Sequence, residues 1–197
     1  MSVLPDAALQ QLFLDARTLS TWSPQPVPDE LLHRLYELVK LGPTSTNSHP
    51  TRFLFIKSAE AKEKLVPALS AGNVDKTRAA PVTVVVAVDE QYHRQMSKLF
   101  PARPELGERL AGMPPEKKEF NLVQNSGLEA GYLIMAARAL GLDCGPMGGF
   151  ERAKVDEAFF AGTSWRSVLL VNLGYGERSK LHPRLPRLDF ADAAKIA

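Results

Sequence analysis

Between Glu119 and Leu140 runs the longest helical candidate in the chain, apolar on most faces beyond Leu128 and stopped at Gly141. A helix of that kind has to be covered on most of its sides. Its small residues Gly127, Ala130 and Gly131 let another helix approach closely, either from the same chain or from a second subunit. Three runs of strand length and strand composition accompany it: Phe53–Ile56, the β-branched Val82–Val88, and Arg166–Leu173, which closes at Gly174. Helices outnumber strands and alternate with them irregularly. The expectation is an α+β chain, one domain over residues 1–197, with a sheet sandwiched by helices, no internal repeat and no linker long enough to divide it.

Helical spacing of Leu9, Leu12, Phe13 and Ala16 predicts a first helix from Asp6, its N-cap, to about Arg17. Pro24, Pro26 and Pro28 make an extended connector into a second helix, with Asp29 and Glu30 in its first turn and Leu31, Leu35, Leu38 and Val39 as its buried stripe. Ser58 caps a third helix reaching Leu69, and Asn73 falls in a turn or short helix near the sheet end of the 42–51 loop. Residues 101–118, with four prolines and only isolated apolar positions, predict a mobile excursion over a pocket. The tail, 178–197, reads as extended.

Composition removes several function classes. A net charge of +2, without a Lys/Arg run along one face, argues against a nucleic-acid partner. Cys144 is the sole cysteine, and His33, His49, His93 and His182 lack metal-ligand spacing, so no metal site is expected. Without a basic, apolar leader or an eighteen-residue apolar run, the expectation is a cytoplasmic protein with no membrane anchor. There is no G-x-x-x-x-G-K-[ST], no G-x-S-x-G and no G-x-G-x-x-G opening a helix; Gly174-Tyr-Gly176 lacks the third glycine.

Two polar, glycine-rich stretches carry the chemistry. Gly42-Pro-Thr-Ser-Thr-Asn-Ser-His-Pro-Thr51 places short hydroxyl and amide side chains between two prolines, suited to the alternating donors and acceptors of a heterocycle edge or ribityl chain. The same composition also suits an ordinary helix-to-strand loop. Gly145-Pro-Met-Gly-Gly-Phe150 is the partner stretch; by itself it reads equally as a turn into a helix near Glu151.

Together these stretches resemble the nitroreductase superfamily of FMN enzymes, whose first loop usually reads Ala-Pro-Ser-x-x-Asn-x-Gln-Pro-Trp and whose second ends in Gly-Phe. With Ala71-Gly-Asn73, Leu140-Gly-Leu-Asp143, Asp156-Glu-Ala-Phe-Phe160 and Arg184-Leu-Pro-Arg-Leu188, the chain is most similar to that family's malonic semialdehyde reductases of uracil degradation, over nearly its whole length. The resemblance implies a nitroreductase-like fold with a central, mainly antiparallel sheet, and a homodimer whose C-terminal extensions wrap the partner. FMN would sit at the dimer interface, with NADPH or NADH as transient hydride donor. The implied activity is reduction of malonic semialdehyde to 3-hydroxypropionate. Broad nitroaromatic or quinone reduction and non-catalytic flavin binding are the alternatives.

It further implies flavin contacts from Pro43, Thr44, Ser45, Asn47, Asn73, Pro146, Met147, Gly148 and Gly149, the two glycines letting a backbone N–H reach the reactive ring edge. Arg17 and Arg184 match the family's phosphate arginines. The segment Arg17-Thr-Leu-Ser-Thr-Trp22 lacks the family's second N-terminal cation, and His182 stands where relatives carry lysine; Arg187 and His182 are the candidate replacements. Thr51 replaces the usual tryptophan. For proton donation the candidates are His49 and Thr44 besides solvent, and for a substrate carboxylate Arg52 and Arg103.

Overall fold

The computed structural model describes residues 2–197. A four-stranded antiparallel sheet, in the order β1-β2-β4-β3, is formed by β1 (Thr51–Ile56), β2 (Val82–Asp89), β3 (Asp143–Met147) and β4 (Trp165–Gly174). Around it lie α1 (Asp6–Leu9), α2 (Asp29–Val39), α3 (Ala59–Leu65), α4 (Ala71–Ala79), α5 (Met96–Leu99), α6 (Leu106–Ala111), α7 (Pro115–Ala139), α8 (Arg152–Phe160) and α9 (Phe190–Ala193).

Every residue of β2 is buried. A continuous apolar run is what a central strand needs when both sheet faces are covered. Its side chains divide by the two-residue period. Val82, Val84 and Val86 join Leu32, Leu35 and Val39 of α2 and Ala130, Leu133 and Ala137 of α7 on one face. Val85 and Ala87 join Leu65 of α3, Val155 of α8 and Leu170 on the other. The layered arrangement expected from the sequence is therefore present.

Several details differ. The fourth strand, β3, occupies the stretch read as a pocket loop. Pro146 is admitted because β3 is an edge strand, whose outer side needs no N–H donor. Of the stripe predicted for α2, Leu35 and Val39 are buried and Leu31 packs partly against the core, while Leu32 joins them and Leu38 is exposed. The first helix is shorter than predicted: α1 continues as a π turn over Gln10–Leu14, and Pro5 occupies the N-cap position. The chain is then drawn to the sheet edge, where Thr18 bridges Cys144.

Residues 101–118 have more to bury than their composition suggested. Leu106 and Leu110, one turn apart on α6, pack with Val88, Tyr92, Met96 and Leu122. Ser58 caps α3 as expected, its Oγ accepting the Ala61 N–H. Gly141 takes φ +79 immediately beyond α7, the left-handed stop for which glycine is suited.

Burial pushes the Cys144 thiol up to about 12. The folded thiol then stays protonated while the unfolded chain's ionises from about pH 9, so the unfolded state binds fewer protons and stability falls as pH rises between those values. The slope approaches about 1.4 kcal/mol per pH unit. Urea midpoints from pH 8 to 11 are expected to decline more steeply for the wild type than for Cys144→Ala; parallel curves would refute this.

Candidate active site

The sequence-predicted residues assemble into three pieces. Beyond β3, the Gly149 carbonyl accepts both the Ser70 N–H at 3.0 Å and the Asn73 Nδ2–H at 2.8 Å. A Cβ on Gly149 would stand 2.8 Å from Asn73 Nδ2 and 3.0 Å from Ser70 Oγ, whereas one on Gly148 would meet nothing within 4 Å. Gly149 is thus fitted against the first turn of α4, and Gly148 presents bare main chain outward.

Near the start of β3, a cavity of about 280 Å³ is lined by Arg17, Arg138, His182, Arg184 and Arg187, with Ala16, Thr18, Pro183 and Leu185 completing the wall. Four guanidiniums converge there and no carboxylate stands in the lining. Arg184 is oriented by the Leu14 and Ala16 carbonyls, Arg17 by that of His182, and Arg138 by that of Leu12. The Arg138 Nε is buried without a partner among the described residues. Uncompensated guanidinium donors around a small cavity suit a multivalent oxyanion.

The third piece is the hydroxyl loop entering β1. Thr46, Asn47 and His49 all have positive φ, at 53°, 55° and 39°, a strained run for residues with side chains. Side chains of α7 hold it: Asn125 Oδ1 accepts the Ser45 N–H at 2.7 Å, and Glu129 Oε2 accepts the Thr51 N–H at 3.2 Å. Glu129 Oε1 lies 3.1 Å from His49 Nδ1, and Asn47 Oδ1 lies 2.8 Å from His49 Nε2. The Thr44 hydroxyl is turned inward, accepting the His49 N–H at 3.2 Å.

The Nitroreductase family profile matches residues 14–175 of this chain. The chain belongs to the nitroreductase family. A protein of Stutzerimonas stutzeri carrying the provisional name NADH dehydrogenase/NAD(P)H nitroreductase is 58% identical over 190 residues, 96% of each chain. A similarly named protein of Ralstonia nicotianae is 53% identical over 198 residues, covering both chains fully. Among solved structures, a provisional nitroreductase of Bacillus subtilis superposes with a TM-score of 0.86 at 21% identity, over 98% of this chain and 100% of that one. A provisional nitroreductase of Exiguobacterium sibiricum in complex with FMN gives 0.85 at 22%, over 100% and 99%. These likenesses establish the nitroreductase-like fold.

Within this nitroreductase chain some residues sit differently from the sequence reading. Met147 is 6% exposed and belongs to the core beside Val85 and Leu170, because strand alternation turns it away from the face that Pro146 presents. Arg52 is not a free cation: its guanidinium donates to the His49 and Thr51 carbonyls and pairs with Asp89 at 2.8 Å. Arg103 is ion-paired with Glu105, and that hydrogen bond holds the Glu105 carboxyl below its ordinary range. Asn73 and the loop are separated across the sheet rather than along it: Asn73 bonds Gly149 just beyond β3, one edge strand, whereas the loop leads into β1, the other.

Sequence reasoning missed Arg138, Asn125 and Glu129. A signal for the last two existed: Asn125, Ser126 and Glu129 interrupt the buried face of α7 at helical spacing between Leu122 and Leu133. Buried polar groups on such a face need partners, and here the loop supplies them.

Proposed function

We propose that the chain is an FMN-dependent NAD(P)H oxidoreductase, and the observation that carries this reading is the placement of an anion-suited cavity and a glycine cradle at the two ends of one strand. From Asp143 to Met147 β3 spans about 13 Å at the usual rise. Arg17, Arg138, Arg184 and Arg187 would hold the phosphate; Gly148, Gly149 and Asn73 would meet the ring. Bound there, FMN supplies two-electron hydride transfer between a nicotinamide and an acceptor. Flavin chemistry suits a chain without a Rossmann fingerprint. The residues fit the group: the phosphate end has no competing carboxylate, and the Gly148 edge is open.

The hydroxyl loop and the glycine cradle lie apart in one chain, so a single pocket containing Asn47, Asn73 and Gly149 requires a second copy. Apolar surface supports such a homodimer: Phe120, Val123, Leu128 and Tyr132 of α7 are exposed, and a Cβ on Gly127 or Gly131 would meet nothing within 4 Å. The C-terminal segment adds exposed Leu185, Leu188 and Phe190, the material of an arm that wraps a partner.

For the physiological acceptor we favour malonic semialdehyde, reduced in the cytoplasm to 3-hydroxypropionate, on the strength of the segments quoted above. Reduction of nitroaromatics and quinones is the second reading. It is favoured by the relatives' names and by the Arg52 charge being held by Asp89 rather than left for a substrate carboxylate.

Pure protein is expected to be yellow, to release FMN on denaturation and to bleach when NADPH is added without oxygen. Colourless protein that takes up no added FMN refutes the flavoenzyme; yellow protein that NADPH does not bleach is a carrier. Comparison of kcat/KM for the semialdehyde and for a quinone at one NADPH concentration separates the two acceptors. Arg184→Ala removes a charged donor of the kind worth about 1.5–3 kcal/mol. It is expected to weaken FMN about 10- to 100-fold and riboflavin, which lacks the phosphate, hardly at all. Equal weakening of both would place the phosphate elsewhere.

A further inference from the structure

Glu129 is 3% exposed on α7, yet both of its oxygens are engaged by one loop. Asn47 Nδ2 donates to the Leu99 carbonyl at 2.8 Å, so its Oδ1 is the atom facing His49 Nε2; the flipped amide would set two acceptors against each other at Leu99. His49 Nδ1 faces a Glu129 carboxylate oxygen. With Glu129 ionised each ring nitrogen meets an acceptor, and a neutral imidazole has a single N–H for the two of them. The network closes with one proton more than a carboxylate and a neutral histidine would hold.

We propose that Glu129 is a positioning residue that keeps His49 as a doubly protonated imidazolium and, through the Thr51 N–H, pins the loop carrying it. The pair then stores one proton for the acceptor half of the reaction, an inference that rests on the flavoenzyme reading above. Turning a carbonyl into an alcohol takes a hydride to carbon and a proton to oxygen, the C=O π pair moving onto that oxygen. His49 supplies the proton and becomes neutral, Glu129 remains a carboxylate, and water refills the pair through the adjoining cavities of about 320 and 410 Å³. The other charged groups facing His49 are Arg52, which donates to its carbonyl and is neutralised by Asp89, and Lys40 and Lys98 across those cavities.

Glu129→Gln tests this while keeping the loop pinned. Its amide oxygen still accepts the Thr51 N–H, and its amide nitrogen, now a donor, obliges Nδ1 to become an acceptor. Nitrogen-15 NMR of His49 at neutral pH is expected to show two protonated ring nitrogens in the wild type and one, at Nε2, in the variant. A wild-type His49 with a single N–H overturns the proposal, and that spectrum needs neither variant nor flavin, so its failure is distinct from failure of the flavoenzyme reading. In stopped flow of the FMN-loaded protein, the variant is expected to slow re-oxidation by a carbonyl acceptor about 10- to 100-fold, well beyond any effect on bleaching by NADPH. Equal slowing of both half-reactions, or none, overturns the proton-storing role; should Glu129→Gln fail to fold, His49→Gln takes its place in the same comparison, judged by the same two outcomes.

Discussion

Gly149→Ala is expected to purify with little or no flavin and to bind added FMN about 10- to 100-fold more weakly than the wild type, at a cost in fold stability of only about 1 kcal/mol. The new methyl group would stand 2.8 Å from Asn73 Nδ2, closer than a Cβ tolerates, and 3.0 Å from Ser70 Oγ, a contact that a small shift relieves. Each is the end of a side chain that can swing aside, so the fold survives. What is lost is the 2.8 Å hydrogen bond that aims the Asn73 amide. Gly148→Ala is the informative companion. A Cβ there meets nothing in the protein, so flavin lost from that variant reports contact with the ligand itself. Fluorescence titration with FMN and urea unfolding on the same samples check both claims. A Gly149→Ala protein with wild-type FMN affinity would remove Asn73 and the glycine cradle from the flavin site.

The second large effect belongs to Gly145→Ala, expected to lower stability by about 3 kcal/mol and the melting temperature by about 6–12 °C. Its Cβ would lie 2.5 Å from the Leu19 carbonyl oxygen, a main-chain atom that cannot rotate away. Leu19 is held from several sides: its N–H bonds the Cys144 carbonyl at 3.0 Å, Thr18 bridges Cys144, and its side chain fills the space that a Cβ on Gly176 would enter at 2.3 Å. Admitting the methyl group means moving the N-terminal segment off the edge of β3. Arg17 travels with that segment, so the variant is expected to lose FMN as well. Calorimetry checks the first effect; a shift below about 2 °C would show that the edge can open at little cost.

The layers of the fold were legible because periodicity reports burial directly. The unbroken apolar run of β2 announced a strand covered on both faces, and the stop at Gly141 placed the end of α7. The strand β3 was not legible, since its proline and glycine are tolerated only because it lies at a sheet edge, and edge position is a property of the assembled sheet. The same holds for Met147: its residue type suited a ring contact, and the pleat alone turned it inward.

Of the site, sequence by itself determined the chemistry on offer: short hydroxyl and amide groups in one loop, two glycines in another, and arginines at both ends of the chain. Tertiary structure decided which groups remain free to act. Arg52 was taken up by Asp89 and by carbonyls of its own segment, Arg138 was brought into the cationic cavity, and Glu129 came from α7 to the side of His49. Residue type fixes what a group can donate or accept, but whether a partner has already claimed it depends on contacts between remote parts of the chain, 80 positions apart for His49 and Glu129 and 170 for Arg184 and Leu14.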